Sequence, residues 1–141
     1  MKHVAQILSA LALCIGATGL RAANLPPQWR YVAKAADMMY YLDTRTMEMR
    51  GPYWSYWVLV AFNHAKKYEH IKPYKSARIL YYADCAAGTQ DIKTVLQFTT
   101  VKGDGEPVWA SHLEDEDLVL EPLKHGSLNE RLMLVACSAQ H

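Results

Sequence analysis

Cysteine, phenylalanine and surplus charge are all scarce in this chain. Three cysteines in 141 residues exclude a scaffold held by several disulfides and a zinc site built of four thiolates. With two phenylalanines, the aromatic surface is carried by nine tyrosines and four tryptophans, side chains with a polar edge. Fifteen Lys and Arg stand against fourteen Asp and Glu, so the net charge is +1 and there is no general pull toward nucleic acid or an anionic membrane. No repeat, low-complexity tract or linker interrupts the chain. No apolar run reaches the roughly 20 residues that stable membrane insertion requires.

The apolar run that does stand out is at the start. Lys2 and His3 lead into the uncharged stretch 4–19, and small residues follow up to Ala23, the layout of a cleaved export signal. The reading is a signal peptide over 1–23 and a single domain over 24–141, exported to the periplasm or the outer cell surface. A cut after Ala23 puts Arg21 at the third position before it, where a small residue is preferred. A cut after Ala22 puts Leu20 there, and one after Gly19 puts Ala17 there, so the cleavage position stays open among the three. Cys14 invites a lipid-anchor reading, but Leu13 stands where that processing needs Gly, Ala or Ser; Cys14 is read as part of the discarded signal. Cys85 and Cys137 are then left in an oxidising compartment, where they pair. Closing the loop between them is worth about 4 kcal/mol on the chain-entropy model. Taking Lys2 and Arg21 from the fifteen basic side chains leaves thirteen against fourteen acidic ones, so the exported domain sits near −1.

The exported part reads as strands followed by one helix. Residues 29–33 and 38–43 are two short strands around a turn at 34–37, and 47–50 is a third ending at the turn dipeptide Gly51-Pro52. Residues 53–63 are almost continuous aromatic and β-branched side chains, a central strand buried on both faces. In 76–85, Ile79, Tyr81, Ala83 and Cys85 share one face, with Arg78, Leu80, Tyr82 and Asp84 on the other. In 92–101, Thr94, Leu96, Phe98 and Thr100 lie opposite Lys93, Val95, Gln97 and Thr99. Gly103-Asp104-Gly105 turns the chain into a strand at 107–112. The period then changes: Ser127-x-x-Glu130 is a capping box, and Leu128, Leu132 and Val135 share a face of a helix over 128–137. The class is α+β, a single mostly antiparallel sheet of about six strands with a C-terminal helix tied down by the disulfide. On an ideal helix Cys137 points away from Leu128, which predicts a shorter helix or an unwound last turn. Trp57, Leu59, Leu96 and Phe98 are expected in the packed interior, facing Leu128, Leu132 and Val135.

Several pieces in this order resemble the surface-adhesin protein E-like family. They are Trp29, then Tyr40-Tyr41-Leu42-Asp43, Trp57-Val58-Leu59, and Ser76-x-x-x-Leu80-x-x-x-Asp84-Cys85 before a Gly-containing turn. Pro122-x-x-x-Gly126-Ser127-x-x-Glu130 with a Cys at the helix end closes the series. The resemblance spans the exported chain. It implies a single antiparallel sheet with a C-terminal helix held by a disulfide, and a non-enzymatic role like that of bacterial surface proteins that bind host matrix proteins. The basic loop 63–75 departs from the family pattern.

That loop is the leading candidate contact surface. Lys66, Lys67, Lys72 and Lys75 interleave with Tyr68 and Tyr74, and such mixtures grip sulfated glycans or acidic protein patches. The plainer reading is a solvated loop whose lysines protect the flanking strands. Glu114-Asp115-Glu116-Asp117 lacks the glycine and alternation of a calcium loop and reads as a solvated acidic turn, although it could meet the basic loop of a second copy and form a homodimer. His64, His70, His112, His125 and His141 show no zinc spacing, so no metal and no cofactor is expected. Ser127 is a helix cap and not a nucleophile, and Asp43 and Asp84 cap turns at strand ends. No catalytic residue is assigned.

The sequence therefore points to an exported non-enzymatic binding domain of the bacterial cell envelope, an adhesin contacting matrix proteins or glycans. Two other readings compete: a periplasmic structural or assembly protein, which a cell-surface location would exclude, and a small hydrolase, which would need a pocket of titratable groups.

Overall fold

The computed structural model describes residues 25–26 and 28–140; the expected export signal, Cys14 and His141 lie outside the described residues. Among the described residues eight strands and one α-helix follow in chain order: β1 (Trp29–Ala35), β2 (Met38–Asp43), β3 (Glu48–Arg50), β4 (Tyr53–Lys66), β5 (Tyr74–Asp84), β6 (Thr89–Phe98), β7 (Trp109–His112), β8 (Glu121–Pro122) and α1 (Leu128–Cys137). They form a single sheet in the order β1-β2-β4-β5-β6-β7, with β3 added beside β4 and β8 beside β6. Every pairing is antiparallel. The expected α+β architecture holds. The short β8 had no strand signal in the sequence, because two residues carry no alternation to detect.

β4 sits in the middle of the sheet because its side chains are apolar on both sides. Trp54, Tyr56, Val58 and Val60 face α1 and join Leu42, Tyr81, Ala83, Leu132, Met133 and Ala136 in the main core. Tyr56, Val58, Leu42 and Leu132 are exposed by no more than 1%. Each such side chain stabilises by about 1.5–3 kcal/mol on burial. Burial also pushes the Tyr81 phenol up to about 12, with Tyr40 adding to the effect. The Tyr56 hydroxyl donates to Gln90 Oε1 across the sheet, so the polar edge of that buried ring is satisfied.

The helix keeps the bounds that its signals set. Ser127 accepts from the Glu130 amide at 3.2 Å, and Glu130 Oε1 accepts from the Gly126 amide at 3.1 Å. α1 buries Leu132, Met133 and Ala136. This places the contact stripe one residue further round than Leu128, Leu132 and Val135, of which Leu128 and Val135 are half-buried. The difference resolves the expected conflict at Cys137. Cys137 lies four residues after Met133 and so falls on the buried stripe, and α1 reaches it without shortening. Cys85 and Cys137 are bonded, with their Cα atoms 5.7 Å apart across a separation of 52 residues. Trp54 Nε1 donates to the Ala136 carbonyl at 3.0 Å, which seats the last turn on β4.

Two expectations are corrected on the opposite face. Trp57, Leu59, Leu96 and Phe98 do not meet the helix; β4–β5–β6 register places them on the side away from it. Leu59 and Phe98 are buried there, but Trp57 and Leu96 are only half-buried. The second correction is Lys93. The β5–β6 register shifts between Leu80 and Tyr81, so that Leu80 pairs with Thr94 and Tyr81 with Ile92. The bulge turns Lys93 onto the same face as Thr94, where its Nζ lies 5.7 Å from the centre of the Tyr82 ring.

Candidate functional site

Two surfaces carry concentrated chemistry. The first is the loop between β4 and β5. β4 continues to Lys66, which pairs with Tyr74, so the irregular part of the loop is 67–73. Its six candidate residues divide into two groups. Lys67, Tyr68, Lys72 and Lys75 are exposed. Lys66 donates to Asp37 Oδ2 at 2.9 Å and lies 5.3 Å from the centre of the Phe62 ring. That hydrogen bond, above all, holds the Asp37 carboxyl below its usual range. Tyr74 is 5% exposed, stacked on Tyr68 with ring centres 6.1 Å apart and set edge-on to Phe62 at 5.6 Å. Burial and the Tyr68 hydroxyl push Tyr74 up to about 12. Tyr74 is therefore the base on which Tyr68 rests, and Tyr68 is the outward aromatic. Lys67, Tyr68, Glu69, His70, Ile71 and Lys72 line an open cavity of about 580 Å³. His70 holds a left-handed backbone, φ +67°, which turns the loop tip.

The second surface is the face of the sheet away from α1. Its outer part is covered by the chain entering β1: Leu25 and Trp29, with Met39 of β2, pack against Tyr41, Leu59 and Ala61. Its middle is an open ladder of rings and cations. The Arg78 guanidinium carbon lies 5.6 Å from the Trp29 ring centre and 5.1 Å from that of Trp57. Tyr53 and Tyr82 sit 5.8 Å apart beside them. The sequence groups Arg78 with Leu80, Tyr82 and Asp84 on one face of its strand, without saying which face the helix covers, and gives it no role. The available signal was a guanidinium in the middle of an otherwise apolar and aromatic strand.

The remaining candidates are structural. Lys93, 5% exposed, donates to the Leu113 carbonyl and to Asp115 Oδ1, the latter at 2.6 Å. The hydrogen bond to Asp115 raises the Lys93 ammonium above its ordinary value. The run 114–117 is thus more than a solvated turn: one of its carboxylates anchors the segment after β7 to the bulge in β6. Asp43 Oδ1 accepts from the Arg45 amide at 2.9 Å and Asp84 Oδ1 from the Ala87 amide at 3.0 Å, the turn-capping roles read from the sequence. His112 Nδ1 is 2.8 Å from Thr94 Oγ1, and His125 Nδ1 is 3.2 Å from Glu130 Oε1. Among the described residues no three His, Cys, Asp or Glu side chains gather where they could hold a metal ion. Among them, too, no helix is long and apolar enough to cross a membrane.

A family model described as surface-adhesin protein E matches residues 29–138, from the start of β1 to just past the end of α1. No curated protein and no solved structure matches the chain. The matched span takes in the whole sheet, the helix and both bonded cysteines, so the chain belongs to the surface-adhesin protein E family.

Proposed function

We propose that this member of the surface-adhesin protein E family is an exported, non-enzymatic binding domain of the bacterial cell envelope. Export is by a signal peptide over 1–23, followed by the domain 24–141. The domain contacts host matrix proteins or their glycans through Lys67, Tyr68, Lys72 and Lys75, with Lys66 and Tyr74 holding the loop in shape. The observation that carries this reading is that three exposed lysines and one outward aromatic ring crowd one seven-residue loop and its flank on a domain otherwise near charge neutrality. Positive charge beside an aromatic face suits sulfated or carboxylated partners and chiefly accelerates encounter.

Binding to heparin and to matrix glycoproteins should weaken as salt rises, because exposed charges are screened over about 8 Å at physiological ionic strength. Replacing Lys67, Lys72 and Lys75 by Ser should slow association and leave the melting temperature unchanged. Equal binding by both forms would retire the loop. Proteolysis of intact cells then separates surface display from a periplasmic location, and protection of the domain would favour the structural or assembly role.

A further inference from the structure

We infer that the edge of Arg78, on the open face of the sheet, is a recognition site for a single carboxylate carried on an apolar stem, as in an acidic side chain or the free end of a partner peptide. This site is separate from the basic loop and goes beyond the role assigned there. Arg78 is a charged side chain that has been immobilised without being neutralised. The rings of Trp29 and Trp57 lie 5.6 and 5.1 Å from its guanidinium carbon. Its Nε is buried and meets no hydrogen-bond partner among the described residues, and no carboxylate among them lies within ion-pair distance. Buried donors are ordinarily satisfied; this one is closed to solvent and leaves the guanidinium charge unpaired, so an acceptor would meet it at the part of the group that lines the cavity.

The stem is fixed as firmly as the head. Gly103, at φ +64°, presses so closely on β4 and β5 that a Cβ there would stand 2.8 Å from Leu59 Cδ1 and 3.0 Å from Arg78 Cγ. Trp29 is held in turn, since its amide donates to the Pro26 carbonyl at 3.0 Å and the Gln28 carbonyl accepts from the Thr44 amide at 2.9 Å. A guanidinium held in this way loses little freedom when it binds, which raises affinity.

The surroundings choose the ligand. Arg78 lines a cavity of about 330 Å³ together with Trp29, Lys102, Gly103 and Asp104. Two cations and one carboxylate leave one net positive charge, which suits one negative group and not a polyanion. A planar fork matches a carboxylate in two parallel hydrogen bonds, and the indole beside it takes the apolar stem. The volume admits about one residue.

The test uses the exported domain labelled with ¹⁵N and two short peptides. One carries an internal Glu and an amidated end; the other has a free C-terminal carboxylate and no acidic side chain. The expected result is saturable movement of the Arg78 Nε–H signal and of the Trp29 and Trp57 indole signals with one or both peptides. Which peptide acts identifies the source of the carboxylate. Arg78→Lys keeps the charge and loses the fork, and should weaken binding about tenfold or more. Lys102→Ala, on the exposed rim and outside the core, should weaken it by a smaller factor with an unchanged melting temperature. Immobile Arg78 and indole signals with both peptides, or undiminished binding by Arg78→Lys, would overturn the proposal. Heparin binding by Arg78→Lys, and peptide binding by the loop triple variant, should both stay normal, so failure here is distinct from failure of the basic loop.

Discussion

On one face of the sheet Trp54 is closed off by a helix whose last carbonyl turn accepts its indole N–H; on the other, Trp57 lies half exposed against an arginine. The two tryptophans are three residues apart on the same strand, yet one completes a core and the other lines an open surface. The difference comes from what covers each face, not from the strand. α1 and the Cys85–Cys137 bond close the first face, whereas among the described residues the second is covered in part, by Leu25 and Trp29 and by the turn at Gly103. A sheet finished on one side can offer aromatic and cationic groups on the other without losing its core.

The comparison can be broken at its strongest point first. Leu132→Ala removes a side chain that is 1% exposed under the helix and should cost about 2–5 kcal/mol in chemical denaturation. Leu80→Ala on the open face should cost less than half as much. Similar losses would mean that the two faces are equally packed. A smaller effect is expected where the open face is locally tight. Gly103→Val puts a branched side chain against Leu59 and Arg78 at a left-handed position and should cost about 1–3 kcal/mol. If its stability is unchanged, the loop does not clamp Arg78.

The smallest effect lies at the sheet margin and depends on pH. Lys66 lowers the Asp37 carboxyl in the folded state. A lowered folded value means that the unfolded chain takes up the proton first, so the contribution is present above the ordinary carboxylate range of about 3.9. It is lost as pH falls through the lower, folded value. Asp37→Asn should therefore lose a little stability at neutral pH, where the contribution is present, and match the parent below the folded value, so that its acid limb is flatter. An acid limb identical to that of the parent would show that the pair contributes nothing.

The sequence announced the helix, its cap and its disulfide because those signals are local or depend on counting. Ser127 and Glu130 satisfy amides within one turn, and two cysteines can pair in only one way. It could not tell which face of β4 the helix covers. Trp54, Tyr56 and Val58 alternate with Ser55, Trp57 and Leu59, and both sets are apolar enough for a core. Leu96 looks interior in the sequence for the same reason. The bulge at Lys93 was hidden because one extra residue in a strand leaves composition and alternation almost intact. The six loop residues were visible as a cluster, but the division between them depends on Asp37 and Phe62, which are distant in sequence. Arg78 stood in plain view, and its two tryptophans come from β1 and β4.

The bond between Cys85 and Cys137 also decides what a protease can remove. β6, β7, the acidic turn and α1 all lie in the closed loop between these cysteines. Exposed stretches there, such as 104–107 and 114–117, are where a protease would cut first. A single cut at either place leaves two pieces that remain one covalent molecule, with α1 still fastened to the end of β5. Shedding a piece of this domain takes a second cut or a reductant, so a nicked copy stays whole on a non-reducing gel and separates only when its thiols are freed.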